Sequence, residues 1–240
     1  MDKIKTGIPG LDEILEGGIP RKTNVLIVGG TGTGKTILCS QFLYKGVEEY
    51  NQNGIFVTLE ERAQDLRREM ASFGWDFAKY EKEGRLALID GTSVKLRKKK
   101  TREKYALVGM DIDALVIEIN RVCKEINAER VVLDSVPSLG LNLDSEKEIR
   151  SSIYRLSTLL LEIGVTSFMT TETLDEGFSR YGVEEFVSRG VIKLDIAERE
   201  NKFVRTIYVR KMRETNFSME KYPFGIESDG IKIYTRGEVF

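Results

Sequence analysis

The chain has 240 residues, 37 Lys and Arg against 38 Asp and Glu, a formal net charge of −1, two cysteines and no histidine. The missing imidazole excludes His-based triads, zincins and His-ligated haem, so any catalysis must rest on carboxylates, Lys, Arg, Ser/Thr or a hard metal. The near-zero charge gives no global pull toward nucleic acid or anionic lipid, and the lone Cys39 and Cys123 cannot build a disulfide framework.

From Asn24 onward, short apolar runs alternate with longer helical ones, the pattern of an α/β fold with a mostly parallel sheet covered by crossover helices. Val25–Val28 reads as a buried strand and Lys35–Tyr50 as the helix after it. Ile55–Leu59 is a second strand, Ala63–Ser72 a second helix and Leu86–Ile89 a third strand. Lys95–Lys104 carries seven basic residues against the single acid Glu103 and falls between elements, hence in a loop. Ile112, Leu115, Ile119, Val122 and Ile126 recur at spacings of three and four, which predicts an amphipathic helix over Asp111–Asn127. Val131–Leu133 is then a buried strand ending in Asp134.

Ile149, Ile153, Leu156, Leu160 and Ile163 form another helical stripe, stopped by Gly164, and Val165–Thr171 returns as a strand. Beyond it, Val187–Ile196, Phe203–Arg210, Gly225–Ser228 and Ile231–Tyr234 read as short strands joined by polar turns. They fit a C-terminal antiparallel extension of the main sheet, because no Pro/Ser/Gly-rich linker precedes them. With no internal repeat, residues 1–240 are expected to form one domain.

Gly29-Gly30-Thr31-Gly32-Thr33-Gly34-Lys35-Thr36 satisfies G-x-x-x-x-G-K-[ST] between a strand and a helix. Glycines let successive N–H groups point inward as an anion nest, and the helix start adds its dipole. Lys35 supplies a charge to the β- and γ-phosphates, and the Thr36 hydroxyl is placed to ligate Mg²⁺. A dinucleotide fingerprint fails, since Lys35 stands where its third glycine would be. Asp134, at the end of a buried strand, is the expected metal acid and should reach the ion through a water; an acid that merely ends a strand is the plainer reading. Glu60 and Glu61 close the strand Ile55–Leu59 on the same sheet edge as the phosphate loop. One of them, Glu60 by preference, is the candidate general base, although a helix N-terminus would also favour both acids.

These segments, together with Thr6-Gly7-Ile8-Pro9-Gly10-Leu11-Asp12, Gly17-Gly18-Ile19-Pro20, Thr170-Thr171-Glu172, Arg180–Val187 and Lys211-Met212-Arg213, resemble a KaiC-type domain of the RecA/RadA ATPase superfamily. The resemblance covers nearly the whole chain and is weakest at Thr92–Gly109. It implies a RecA-like P-loop core that assembles into a homo-oligomeric ring, commonly a hexamer, with ATP between subunits. It also implies that Glu60 and Glu61 match the paired catalytic glutamates and that Lys211 and Arg213 match cations reaching the neighbouring subunit's γ-phosphate. Read without the family, Lys211 and Arg213 are an exposed edge-strand pair of the kind that discourages sheet-edge aggregation. Where autokinase domains of the family carry a Ser/Thr pair, this chain reads Glu184-Glu185-Phe186, which argues against autokinase activity.

The expected function is therefore an Mg²⁺-dependent, slow, ring-forming ATPase acting as a regulatory or signalling switch, with ATP and ADP as ligands. A DNA-stimulated ATPase whose basic loop tracks phosphates is an alternative, as is an ATP-gated adaptor with incidental hydrolysis. No uninterrupted apolar run approaches the roughly 18 residues of a membrane span. The expected location is the cytoplasm.

Overall fold

The computed structural model describes residues 2–92, 104–106, 112–142, 145–173, 178–199 and 201–235. The N-terminal β1 (Lys3–Ile4) and β2 (Ile19–Pro20) pair antiparallel around α1 (Leu11–Ile14). There follow β3 (Asn24–Val28), α2 (Lys35–Tyr50), β4 (Gly54–Thr58), α3 (Ala63–Ala71), α4 (Phe77–Lys82), β5 (Leu86–Asp90) and β6 (Tyr105–Ala106). Next come α5 (Ile112–Ile126), β7 (Arg130–Asp134), α6 (Glu146–Ile163), β8 (Thr166–Thr171) and α7 (Glu184–Val187). The chain closes with β9 (Gly190–Arg199), β10 (Lys202–Met212), β11 (Tyr222–Glu227) and β12 (Gly230–Ile233).

Among the described residues β3 to β12 form one ten-stranded sheet in the order β12-β11-β10-β9-β3-β8-β7-β4-β5-β6. From β9 through β3 to β6 every neighbour is parallel, and β10, β11 and β12 add antiparallel. All five residues of β3, β4, β5 and β7 are buried, because helices cover both faces of a parallel sheet. Alternate side chains then enter opposite cores. Val25, Ile27, Phe56 and Val132 pack with α2, α3 and α4, while Leu26, Val28, Ile55 and Val57 pack with α5 and α6. β3 and β4 are separated by β8 and β7, so strand order reverses beside β3 and opens a crevice at the strands' carboxyl ends.

Where sequence and structure differ, local hydrogen bonds decide. Helix α4 is too short to show a period, yet the Asp76 carboxylate caps it by accepting from Lys79 N at 2.9 Å. The run expected as a strand from Val187 is still helical there and pairs only from Gly190, because Glu184 gathers the preceding turn. Gly164, at φ 82°, ends α6 as expected. The basic segment Lys95–Lys104 lies outside the described residues except for Lys104, whose ammonium pairs with Glu125 of α5 at 3.0 Å.

Candidate nucleotide-binding and catalytic site

After Val28 the chain leaves the sheet and curls over residues 29–34 before α2 begins at Lys35. Gly32 at φ 78° and Gly34 at φ 100° hold left-handed conformations that side chains resist. A methyl at Gly30 or Gly32 would meet no atom within 4 Å, so the loop faces open space of the kind a phosphate group fills. Thr33 Oγ1 instead turns inward and donates to Gly30 O at 2.8 Å, bracing the curl. Lys35 Nζ lies back over the loop, donating to Gly29 O at 2.8 Å and Gly30 O at 3.0 Å. The residues thus fit a polyphosphate: glycine-lined room, a helix start and one ammonium at the rim.

Two further parts of this loop's surroundings carry no signal in the sequence. Ile226 and Ile231, from the β11–β12 hairpin, pack against Gly34, whose Cβ would lie 3.1 Å and 3.6 Å from their δ-carbons. The Arg205 guanidinium of β10 comes within 3.4 Å of Gly32 O. Both sit in strand patterns that read as ordinary edge positions.

Asp134 ends β7 level with Thr58 of β4. Its carboxylate accepts from Thr36 Oγ1 at 2.7 Å and from Thr170 Oγ1 of β8. Burial pushes its pKa up, the two hydroxyl bonds oppose that, and nearby Glu60 raises it while Lys35 lowers it. Thr36 and Asp134 are therefore side by side, as a phosphate-bound Mg²⁺ would need. Among the described residues no group of three or more Cys, Asp or Glu could hold a metal ion alone. A divalent ion here would take its remaining ligands from nucleotide oxygens and water.

Glu60 and Glu61 follow Leu59, whose N–H still donates to Asp134 O at 2.7 Å, so the strand's end delivers both acids to the same edge. Glu60 accepts from Ser135 Oγ and, at 3.1 Å, from Ser138 Oγ. Both serines lie just beyond Asp134. Glu61 is an exposed residue whose carboxyl is partly desolvated, which raises its pKa, and Glu69, Asp134, Glu60 and Asp65 add to the shift.

Lys211 and Arg213 are not brought to this site. Lys211 pairs with Val191, which pairs with Leu26, so it lies level with the middle of β3, while Arg213, whose N–H donates to Arg189 O beside Asn24, lies at the strand's amino end. The phosphate loop starts after Val28, two residues beyond Leu26, and β3 is two strands across from β10, an offset of about 7 Å by about 10 Å at ordinary strand spacings, beyond a lysine's reach. Lys211 Nζ instead donates to Glu185 O at 3.1 Å and Ser188 O at 2.6 Å. Burial lowers its pKa, Arg213 lowers it further and Glu185 opposes. Arg213 is exposed.

A phosphate loop after the first strand of a mostly parallel sheet, with an acid ending the strand next but one, defines a P-loop nucleotide-binding fold of RecA type. The sequence matches the family model described as "ATPase: KaiC" over residues 4–238, and the chain belongs to that family. It is 40% identical over 237 residues to the UPF0273 protein MJ1359 of Methanocaldococcus jannaschii, spanning 98% of this chain and 97% of that one. It is 39% identical over 238 residues to the circadian clock oscillator protein KaiC of Synechococcus elongatus, of which the match spans 44%. The crystal structure of the KaiC-like protein PH0186 from Pyrococcus horikoshii superposes with a TM-score of 0.85 at 52% identity, covering 97% of this chain and 99% of that chain.

Proposed function

We propose that residues 1–240 act as one Mg²⁺-dependent ATPase domain that hydrolyses ATP slowly in a homo-oligomeric ring, as a regulatory switch without autokinase activity. The observation that carries this reading is the convergence on one sheet edge of an open phosphate loop, the Thr36–Asp134 pair and a Glu60 carboxylate held by two serine hydroxyls.

In this reading the amides of Gly30, Thr31, Gly32, Thr33 and Gly34 bind the phosphates, and Lys35 leaves its two carbonyls to reach them. Thr36 and Asp134 hold Mg²⁺, which when bound neutralises charge on the β- and γ-phosphate oxygens. Glu60 accepts the proton of the attacking water. Glu61, whose pKa is raised, supports it from the same turn. Lys211 and Arg213, two strands across from β3 and set back along it from their own phosphate loop, would meet a γ-phosphate in a neighbouring copy, which supports a ring with shared sites; the family suggests six subunits.

The nucleic-acid alternative gains nothing from Lys104, whose charge is paired with Glu125. Among the described residues no helix is long and apolar enough to cross a membrane. Cys39 and Cys123 are both free and buried, which suits a reducing cytoplasm.

Replacing Glu60 by Gln tests the assignment: ATP affinity should stay within about twofold while turnover falls by at least about tenfold, given general-base contributions of roughly 10²–10⁴. An unchanged rate would remove Glu60 from the chemistry. Light scattering with and without ATP tests the ring, and a monomer under both conditions would contradict shared sites.

A further inference from the structure

We infer that Glu184 is a positioning residue for the cation each subunit donates: it fixes α7, on which Lys211 rests, and so sets the ammonium presented to the next subunit's nucleotide. This rests on the shared-site reading above and extends it to a residue outside both sites.

Glu184 is 0% exposed, and among the described residues hydroxyl and amide groups hold its carboxylate. Thr171 Oγ1 donates to Oε1 at 3.0 Å; Oε2 accepts from the N–H groups of Tyr181 and Val183, each at 3.2 Å, and from Ser179 Oγ at 2.8 Å, whose one proton is shared with the neighbouring Glu185 carboxylate. Burying a carboxylate is costly unless its hydrogen bonds are complete, so four donors converging here mark a built arrangement. An apolar residue would fill the space at less cost.

What the arrangement fixes is α7. Ser188 Oγ donates to Glu184 O at 2.7 Å and closes the helix, whose carbonyls at Glu185 and Ser188 then receive Lys211 Nζ at 3.1 Å and 2.6 Å. The anchor at the other end is the tip of β8. Thr171 holds Glu184, while the preceding Thr170 holds Asp134. Adjacent residues of one strand therefore support the subunit's own metal acid and the platform of the cation it donates.

A structural role alone would lower stability without regard to which site loses activity, whereas positioning in trans makes a specific demand on mixed assemblies. Glu184→Gln keeps the volume but leaves one amide oxygen for four donors. Alone, it should lose at least about tenfold in kcat, the scale of a misplaced electrostatic group, with KM for ATP within about twofold. Mixed in equal amounts with Glu60→Gln subunits, which bind nucleotide and carry an intact α7 and Lys211, it should regain activity. Random mixing would pair an intact phosphate loop with an intact donor at about a quarter of the interfaces.

The control is the same mixture made with Lys211→Ala. If that control recovers activity and Glu184→Gln does not, Glu184 serves its own subunit and the inference is overturned. Should the control itself fail to recover, the trans role of Lys211 falls and takes the inference with it. Wild-type turnover by Glu184→Gln alone would also overturn it. Thr171→Val, which removes one donor and leaves the carboxylate in place, guards against misfolding: it should show the same kcat loss and the same recovery in milder form.

Discussion

Strand β7 carries a charge at each end, Arg130 and Asp134, and the two are satisfied in opposite ways. Arg130, 0% exposed, is locked. Its guanidinium donates to Phe42 O and Lys5 O, each at 2.7 Å, and to the Gln52 amide oxygen at 2.9 Å, and it stacks 4.4 Å from the Phe42 ring centre. Burial pulls its pKa down to about 10, which leaves it charged at neutral pH. Among the described residues the hydroxyls of Thr36 and Thr170 hold Asp134, and one of those is the group a phosphate-bound metal would claim. The amino end of the strand thus holds its charge for structure, tying the segment just after β1, α2 and β7 together. The carboxyl end holds its charge for chemistry, with a partner that can change.

The sharpest way to break this contrast is to neutralise each end in turn. Asp134→Asn should reduce turnover by about 10²-fold or more, since it weakens the metal's hold on the phosphates, while leaving the melting temperature without nucleotide unchanged or higher. Phosphate release and a thermal melt read the two effects. Arg130→Met should do the reverse. It strands two carbonyls and an amide oxygen in the core and should cost about 2–4 kcal/mol, given about 1–3 for each buried group left unpaired, offset in part by removing a buried charge. Turnover per folded molecule, measured well below the melt, should not change. If Asp134→Asn melts as early as Arg130→Met, both ends are structural and the distinction fails.

A smaller effect tests why Gly46 stands in the middle of α2. A Cβ there would lie 2.5 Å from Arg130 Nε, so Gly46→Ala must displace the guanidinium and should cost about 1–3 kcal/mol, as overpacking does. In the Arg130→Met background the same change should cost nothing or stabilise by about 0.5–1 kcal/mol, the helix preference of Ala over Gly. A chemical-denaturation double-mutant cycle measures the coupling, and additivity would mean that Gly46 serves some other neighbour.

The same contrast explains what was legible in the sequence. The phosphate loop is contiguous, so Gly29 to Thr36 announce themselves. Asp134 is visible because it terminates an apolar run, and Glu60 and Glu61 because they terminate another. Arg130 opens a strand and looks like a solvated flank; only the fold places Phe42 and Gln52 around it, 88 and 78 residues away. Arg205 and the Ile226–Ile231 pair are invisible for the same reason, since their proximity to the phosphate loop comes from antiparallel strands folding back beside β3. Helix α4 was within reach, as Asp76 before Phe77 is a capping signal, but six residues show no period. The parallel core and the helices covering it were readable from periodicity alone, because complete burial of both sheet faces writes itself as apolar runs.

The finest test lies in the pH dependence of the Asp134 end. Burial raises the folded-state pKa of Asp134 above its unfolded value, although the Thr36 and Thr170 hydroxyls and Lys35 pull the other way. Above the raised folded value the group is ionised in both states, and the buried charge weakens the fold. As pH falls through the raised folded value toward the unfolded carboxylate near about 3.9, the native state takes up the proton first, so this group's penalty is progressively relieved. Other acids shift total stability as well, so the readable quantity is the difference between Asp134→Asn and the parent protein, both without nucleotide or metal. That difference should favour the variant above the raised folded value and shrink steadily as pH falls through that value to below the unfolded one. A difference that stays flat across the range would mean that the hydroxyl bonds fully offset burial, and that Asp134 is held as firmly as Arg130.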